Sequence, residues 1–247
     1  MRRAILITGA SRGIGRATAV AFAERGDRIA IHHRNSEEAA QKLRLELAGE
    51  GHVVVQADLA QPSAIQAMVT EAAAALGGID VLVNNAARSG SHAITDVSYD
   101  EWQAAWRATV EVNLMGAANV IYCAVKHMKQ GGRIVNASSR GAVRGEPRQP
   151  AYGASKAGLN AMGQSLAVAL APLGIGVATV APGYVETDMS NAHLKSPRGS
   201  EILAQSPFNR IARPDEVAAA IVWLSSPEAE WASGAILDLN GASYLRT

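Results

Sequence analysis

The chain has 247 residues, 48% of them apolar and 18% charged, with a formal net charge of +1. That length accommodates one large α/β domain with a substantial core, and the near-zero charge leaves no basic field for nucleic acid. The single cysteine, Cys123, excludes an internal disulfide, and its apolar neighbours suit a buried thiol better than a nucleophile.

Ile5-Leu6-Ile7 predicts a strand buried on both faces of a parallel sheet. Ile14, Ala17, Thr18, Ala21 and Phe22 then fall on one face of a helix, and Gly26 stands where its C-terminal cap belongs. Residues 28–31 read as a second strand, 35–38 as a capping box, and 52–57 as a third strand. Pro62 opens a helix that turns Ile65, Met68, Val69 and Ala72 inward and stops at Gly77-Gly78. Residues 79–83 form the fourth strand, and the box Ser98-Tyr99-Asp100-Glu101 opens a helix reaching about residue 129. A fifth strand at 133–137 precedes a helix over about 151–173 and a sixth strand at 177–180. Pro214 starts a last helix with Val217, Ile221 and Leu224 inward, and 235–239 supply the seventh strand.

Residues 157–185 carry no charge and resemble a membrane span in composition, but Asn160, Gln164 and Ser165 interrupt them and Pro172-Leu173-Gly174 cuts them in two. They read as a buried helix, a turn and a buried strand. Arg2-Arg3 runs straight into the first strand, so no signal sequence is expected, and the protein is expected to be soluble and cytoplasmic. Strands joined by helices predict a single α/β domain over 1–247, a doubly wound Rossmann-type sheet of about seven parallel strands with helices on both faces. Such a sheet takes ligands beyond the carboxyl ends of its strands, where Gly9, Asp58, Asn85 and Ser139 all fall.

Gly9, Gly13 and Gly15 lie on a strand-to-helix turn, where unpaired N–H groups and a positive dipole end face an anion. Their G-x-x-x-G-x-G spacing is not G-x-G-x-x-G, and an ordinary glycine turn is the plainer reading of this stretch taken alone. Tyr152 and Lys156, four residues apart, share a helix face. A phenol that trades protons near neutrality must come down from about 10 by roughly three pH units, about 4 kcal/mol. One nearby cation supplies on the order of one to three of these, and an oxidised nicotinamide adds charge of the same sign. Alone, this pair reads more readily as an ordinary surface Tyr and Lys.

Thr8-Gly9-x3-Gly13-x-Gly15, Asn84-Asn85-Ala86, Asn113, Ser139, Tyr152-x3-Lys156 and Pro182-Gly183 occur in one order along the chain. Over its whole length the chain resembles the short-chain dehydrogenase/reductase family, in the group that includes 3-oxoacyl-acyl-carrier-protein reductases. The resemblance implies that Tyr152 is the general acid/base and that Lys156 lowers its pKa and bonds the ribose. Ser139, thirteen residues before Tyr152 and preferred over Ser138 for that interval, would orient the carbonyl. Asn113 would open a helix locally and hold a water joining Lys156 to solvent; a solvated helix face is its plainer reading. The implied coenzyme contacts are Gly9, Ser11, Arg12, Gly13, Ile14, Gly15, Arg34, Asn35, Asp58, Leu59, Asn85, Ala86, Tyr152, Lys156, Pro182, Gly183, Val185 and Thr187. Among these, Asn85 would meet the nicotinamide-side ribose, Asp58 the adenine amino group and Thr187 the nicotinamide amide. Asp58 is equally an ordinary helix cap.

An NAD site wants an acid at the end of the second strand, which here reads His32-His33-Arg34-Asn35, with Arg12 in the glycine turn. Two guanidinium groups and no carboxylate favour NADP(H) over NAD(H), unless Arg34 merely faces solvent. The sequence departs from the family pattern at Ala87, where a glycine is usual, and between Ser98 and Asn113. That second stretch is about one helical turn longer than expected, with Trp102 and Trp106 both candidates for one aromatic position. His32 and His33 would point to opposite faces of a strand, and no histidines keep ligand-like company, so no metal is expected. Residues 184–213, with Pro197, Gly199 and Pro207, read as a substrate lid. Arg140, Arg144 and Arg148 read as solvated, with contact to an anionic or carrier-bound substrate as the alternative. The implied protein is an NADP(H)-dependent carbonyl reductase or alcohol dehydrogenase, a homotetramer acting on a small-molecule or acyl-carrier-bound carbonyl, with no nucleic-acid or membrane partner. The rival is a non-catalytic dinucleotide-binding sensor or scaffold, which would be expected to have lost Tyr152 or Lys156.

Overall fold

Side chains on a strand alternate between faces, and β1 (Ala4–Ile7) divides accordingly. Ile5 and Ile7 enter one core layer, Ala4 and Leu6 the other. The computed structural model of the chain describes residues 2–188 and 199–246. Six more strands follow: β2 (Arg28–His33), β3 (Val53–Gln56), β4 (Val81–Asn84), β5 (Arg133–Ala137), β6 (Gly176–Pro182) and β7 (Ile236–Leu239). All pair in parallel, in the order β3-β2-β1-β4-β5-β6-β7. The order reverses direction at β1, which opens a crevice between the loops after β1 and β4.

The helices are α1 (Gly13–Ala23), α2 (Glu37–Glu46), α3 (Pro62–Leu76), α4 (Tyr99–Val110), α5 (Ala117–Val125), α6 (Gly141–Arg144), α7 (Pro150–Leu170), α8 (Gly199–Ala204) and α9 (Pro214–Leu224). Phe22 of α1, Leu43 of α2 and Ile221 of α9 cover the sheet face that carries Ile5 and Ile7. Ile65 and Met68 of α3 and Val120 of α5 cover the face that carries Leu6, Leu82 and Ile134. Burying a sheet on both faces explains why its strands are apolar runs rather than alternating ones.

Several predicted boundaries move, each for a local reason. The buried face of α1 is Gly15, Thr18, Ala19, Phe22 and Ala23, about one residue beyond the predicted set. Ile14 is left half-buried at the mouth of a cleft. Gly26 does close α1: its φ is +85°, its N–H reaches the Ala23 carbonyl at 2.8 Å, and the Asp27 N–H reaches Phe22 at 3.2 Å. The capping box expected at 35–38 does not form. Strand β2 runs on through His33, so the N-cap falls to Ser36, whose side chain makes no capping bond. The second box is present, with Glu101 N–H donating to Ser98 Oγ at 3.3 Å and Ser98 N–H to Glu101 Oε2 at 2.8 Å. The helix behind it is not continuous: Glu111–Gly116 is a π-helical stretch, and α5 ends at Val125. The run Tyr99–Val125 is apolar and long enough to cross a membrane by length and composition, yet here it packs against α3 and α7. Residues 157–185 divide as read, into α7, a 3₁₀ turn at Ala171–Leu173 and β6. Cys123 is half-buried rather than buried.

Candidate active site

Gly9 takes φ +64°, a backbone shape that side chains disfavour, and so turns the chain off β1 toward α1. A Cβ on Gly15 would stand 2.3 Å from the Gly9 carbonyl oxygen and 2.6 Å from Asn85 Nδ2. The first turn of α1 thus lies directly on the turn before it. The N-cap, Arg12, makes no side-chain capping bond and the first turn holds no acid. Its N–H groups and dipole end remain available to an anion, with an arginine beside them. This cradle, which a methyl group would fill, fits a dinucleotide diphosphate. Ser11 and Ile14, both half-buried, belong to the turn and the first helical turn, and Thr187 closes the cradle from the far side, 3.1 Å from where a Gly13 Cβ would lie.

Asn85 and Ala86 hold this turn in place. Their N–H groups donate to Thr8 Oγ1 at 2.9 and 3.0 Å, and Asn85 Nδ2 donates to the Thr8 and Gly9 carbonyls at 2.9 and 3.1 Å. The Asn85 side-chain nitrogen is therefore occupied with the backbone. At the other end of the crevice, Arg34, Asn35 and Asp58 line one open recess. Arg34 Nη1 stands 4.0 Å from Asp58 Oδ2, both groups about half exposed. Asp58 Oδ1 accepts from Ala60 N–H at 3.0 Å in an Asx turn, while the N-cap of α3 is Gln61, so Asp58 is not the cap of that helix. Leu59 is buried, and its carbonyl would lie 2.5 Å from a Cβ on Gly116.

Beyond the end of β5 a cleft of about 160 Å³ is lined by Ser139, Tyr152, Arg140, Glu146, Gly183 and Val185, with Ile14 and Thr187 joining it to the glycine cradle. Pro182 and Gly183 at the end of β6 anchor its floor, the Pro182 carbonyl accepting from Arg140 N–H at 2.8 Å. The two serines take different partners. Ser138 is buried and donates to the Lys156 carbonyl at 3.2 Å, whereas Ser139 Oγ accepts from Gly141 N–H at 3.0 Å and faces Tyr152. Lys156 is 2% exposed; its Nζ donates to the Ala137 carbonyl at 2.6 Å and lies 5.7 Å from the centre of the Tyr152 ring. Burial brings this ammonium down to about 8. Burial also pushes the Tyr152 phenol above its ordinary value, hydrogen bonding to Ser139 pulls it down, and the Glu146 carboxylate pushes it up. In the chain alone, desolvation is the largest influence on the phenol and acts opposite in sign to the lowering expected of Lys156 together with the coenzyme.

Asn113 lies in the π stretch, so the helix does open locally. Its side chain turns away from the cleft: Oδ1 accepts from Arg88 N–H at 2.7 Å, and Nδ2 donates to the Arg88 carbonyl at 2.9 Å and Ser155 Oγ at 3.1 Å.

A family model described as Enoyl-(Acyl carrier protein) reductase matches residues 9–241. The chain is a short-chain dehydrogenase/reductase. This short-chain dehydrogenase/reductase is 34% identical to the 3-oxoacyl-[acyl-carrier-protein] reductase FabG of Staphylococcus aureus, over 99% of both chains. It is 34% identical to versicolorin reductase stcU of Emericella nidulans, over 97% of this chain and 94% of that one. A short chain dehydrogenase from Burkholderia cenocepacia J2315, solved in complex with NADP, superposes with a TM-score of 0.89 at 33% identity, over 98% of this chain and 97% of that one.

Three further features of the dehydrogenase/reductase site escaped the sequence. Arg140 is 3% exposed rather than solvated, while Arg144 and Arg148 do lie at the surface. His92, 3% exposed, accepts from Ala151 N–H at 3.1 Å and ties the loop after β4 to the start of α7. Its ring meets Trp102 edge-on at 5.8 Å, and Trp102 meets Trp106 at 5.7 Å, so the longer segment packs as an aromatic row. His32 does the same for the glycine turn: Nδ1 accepts from Gly9 N–H at 3.0 Å, and Nε2 faces the Ala57 carbonyl at 3.1 Å. A backbone donor on one ring nitrogen and a carbonyl on the other require the neutral ring with its proton on Nε2. The only signal in the sequence was a histidine at the end of an apolar strand.

Burial lowers the His32 pKa from 6.5 to about 4; the Ala57 carbonyl and Asp58 oppose this and His33 adds to it. Between these two values the unfolded chain takes up a proton that the folded one refuses. Stability is therefore expected to fall as pH drops from about 6.5 toward 4, by up to about 3 kcal/mol. Denaturant melts of the wild type and His32→Gln over that range test this, the wild type losing stability more steeply. Parallel acid slopes would refute it.

Proposed function

We propose that the protein is an NADP(H)-dependent oxidoreductase that moves a hydride between the nicotinamide and a carbonyl or secondary alcohol, with Tyr152 as general acid/base. One observation carries the reading: Ser139, Tyr152 and Lys156 meet beside the same crevice end as the glycine cradle. Bound NADPH supplies the hydride. Ser139 hydrogen-bonds the substrate oxygen and holds it in line with the phenol, Tyr152 gives that oxygen a proton, and Lys156 orders the ribose and keeps a positive charge near the phenol. Asn113 acts through the π turn it occupies, which leaves backbone carbonyls outside the α-helical ladder and free to hold a water on the proton path.

Arg12 and Arg34, with no acid at the end of β2, support a 2′-phosphate, and Asp58, which lines the same recess as Arg34, supports an adenine contact there with the Leu59 backbone beside it. The relatives named as a 3-oxoacyl-[acyl-carrier-protein] reductase and a versicolorin reductase support a reductase with either a carrier-bound or a free carbonyl substrate. Residues 184–213 act as a lid over the cleft. Residues 189–198 of it, Pro197 among them, lie outside the described residues; within the rest, Val185 pairs with Ala212 and 199–204 form α8. The exposed Met115, Tyr122 and Val168 on the outer faces of the π stretch, α5 and α7 support assembly into a homotetramer. Gly158 packs inward against Leu114 and serves the subunit's own core. We place the protein in the cytoplasm.

The test is a panel of ketones and alcohols followed by coenzyme absorbance. Turnover is expected with NADPH at roughly tenfold or more the efficiency with NADH, and Arg34→Ala is expected to erase most of that preference. Coenzyme binding with no turnover of any carbonyl or alcohol would return the protein to the sensor class.

A further inference from the structure

Arg140 follows Ser139 directly and is buried, with 3% of its surface exposed. Its Nη1 donates to Ser243 Oγ at 2.7 Å, and its guanidinium carbon lies 5.2 Å from the centre of the Tyr184 ring. Among the described residues no carboxylate stands within ion-pair distance of it. A guanidinium withdrawn from water without an acid is costly, so this arrangement calls for an anion. Burial pushes Arg140 below its ordinary value, Arg144 adds to that, and Glu146 and Tyr184 act against it.

Arg140 and Tyr184 form the wall shared by two cavities, the catalytic cleft and a second space of about 260 Å³ between α8, the segment after it and the turn after β7. The acids lining the second space are already neutralised: Glu216 pairs with Arg210 at 2.7 Å and Asp238 with Arg246 at 3.1 Å. Glu146 lines the catalytic cleft and not this space, so it repels an anion from the cleft side only. Ile202, Ile211 and Leu239 supply apolar wall.

We propose that this second cavity receives a carboxylate-bearing end of the substrate, held by Arg140, so that the carbonyl compound reduced at Tyr152 is an oxo-acid with a short apolar chain. The proposal rests on the oxidoreductase reading of the neighbouring cleft. It also separates substrate classes. A carrier-bound thioester keeps its phosphate at the far end of the pantetheine arm and leaves Arg140 unmatched.

The binding arm of the test needs no turnover. The NADPH-loaded protein is titrated calorimetrically with hexanoate and with hexanamide. Hexanoate is expected to bind at least about thirtyfold more tightly, and Arg140→Gln to abolish that preference. Arg140→Lys keeps the charge without the fork and is expected to retain a reduced preference, which carries the test if the glutamine variant does not fold. Kinetics with levulinate and its methyl ester form the second arm, the acid being favoured through KM in the wild type and not in Arg140→Gln. Equal binding of acid and amide by the wild type, or a preference that survives in a folded Arg140→Gln, overturns the proposal. Hexanoate selectivity with no turnover of any carbonyl upholds Arg140 and sinks the oxidoreductase reading; ester turnover without acid selectivity does the reverse.

Discussion

Replacing Tyr152 by phenylalanine is expected to lower kcat by roughly 10²- to 10⁴-fold while NADPH affinity stays within about threefold of wild type. The substitution removes one hydroxyl at the point where Ser139 meets the phenol and leaves the ring packed on α7. Burial, and the Glu146 carboxylate after it, hold the phenol above its ordinary value, against the pull of the hydrogen bond to Ser139. Tyr152 therefore keeps its proton at neutral pH, which is the form an acid needs for carbonyl reduction. Reduction is accordingly expected to be flat in pH through neutrality and to fall only in alkali, whereas alcohol oxidation, which needs the phenolate, rises with pH. Steady-state rates in both directions across the pH range check this. A phenylalanine variant that reduces carbonyls at the wild-type rate would sink the role given to Tyr152.

Gly15→Ala is expected to weaken NADPH binding by at least about tenfold and to lower Tm by roughly 3–10 °C. The added methyl would meet the Gly9 carbonyl at 2.3 Å, Asn85 Nδ2 at 2.6 Å and the Ala10 Cα at 2.9 Å. Two of those three neighbours are backbone, so relief comes only by moving the turn off the helix. That same movement pulls Asn85 from the Thr8 and Gly9 carbonyls and Gly9 N–H from His32. Fluorescence titration with NADPH beside a thermal melt separates the two effects. Unchanged affinity in a folded variant would mean that the coenzyme does not rest on this turn.

Motifs that act through backbone spacing were legible from the residues alone. Gly77 ends α3 in the left-handed conformation and Ser98 and Glu101 cap α4, because both signals depend on neighbours within a turn. The seven strands and their helical crossovers were legible for a similar reason, since a sheet covered on both faces must be written as uninterrupted apolar runs. Asn35 illustrates the limit. The local pattern for a capping box was present, but pairing with β3 drew His32 and His33 into β2 and moved the helix start past it. The π stretch at Glu111–Gly116 had no signature beyond an asparagine out of place in a helix.

By itself the sequence determined the chemistry on offer: a phenol and an ammonium one turn apart, a serine after a strand, and glycines at a strand-to-helix turn. Each of these is a property of residue type and of short-range geometry. Only the tertiary structure decided which charges face water. It buried Arg140 against Tyr184 and Ser243, set His32 between Gly9 and Ala57, and desolvated the Tyr152 phenol. Desolvation depends on everything packed around a group, most of it distant along the chain, and no spacing of neighbours encodes it.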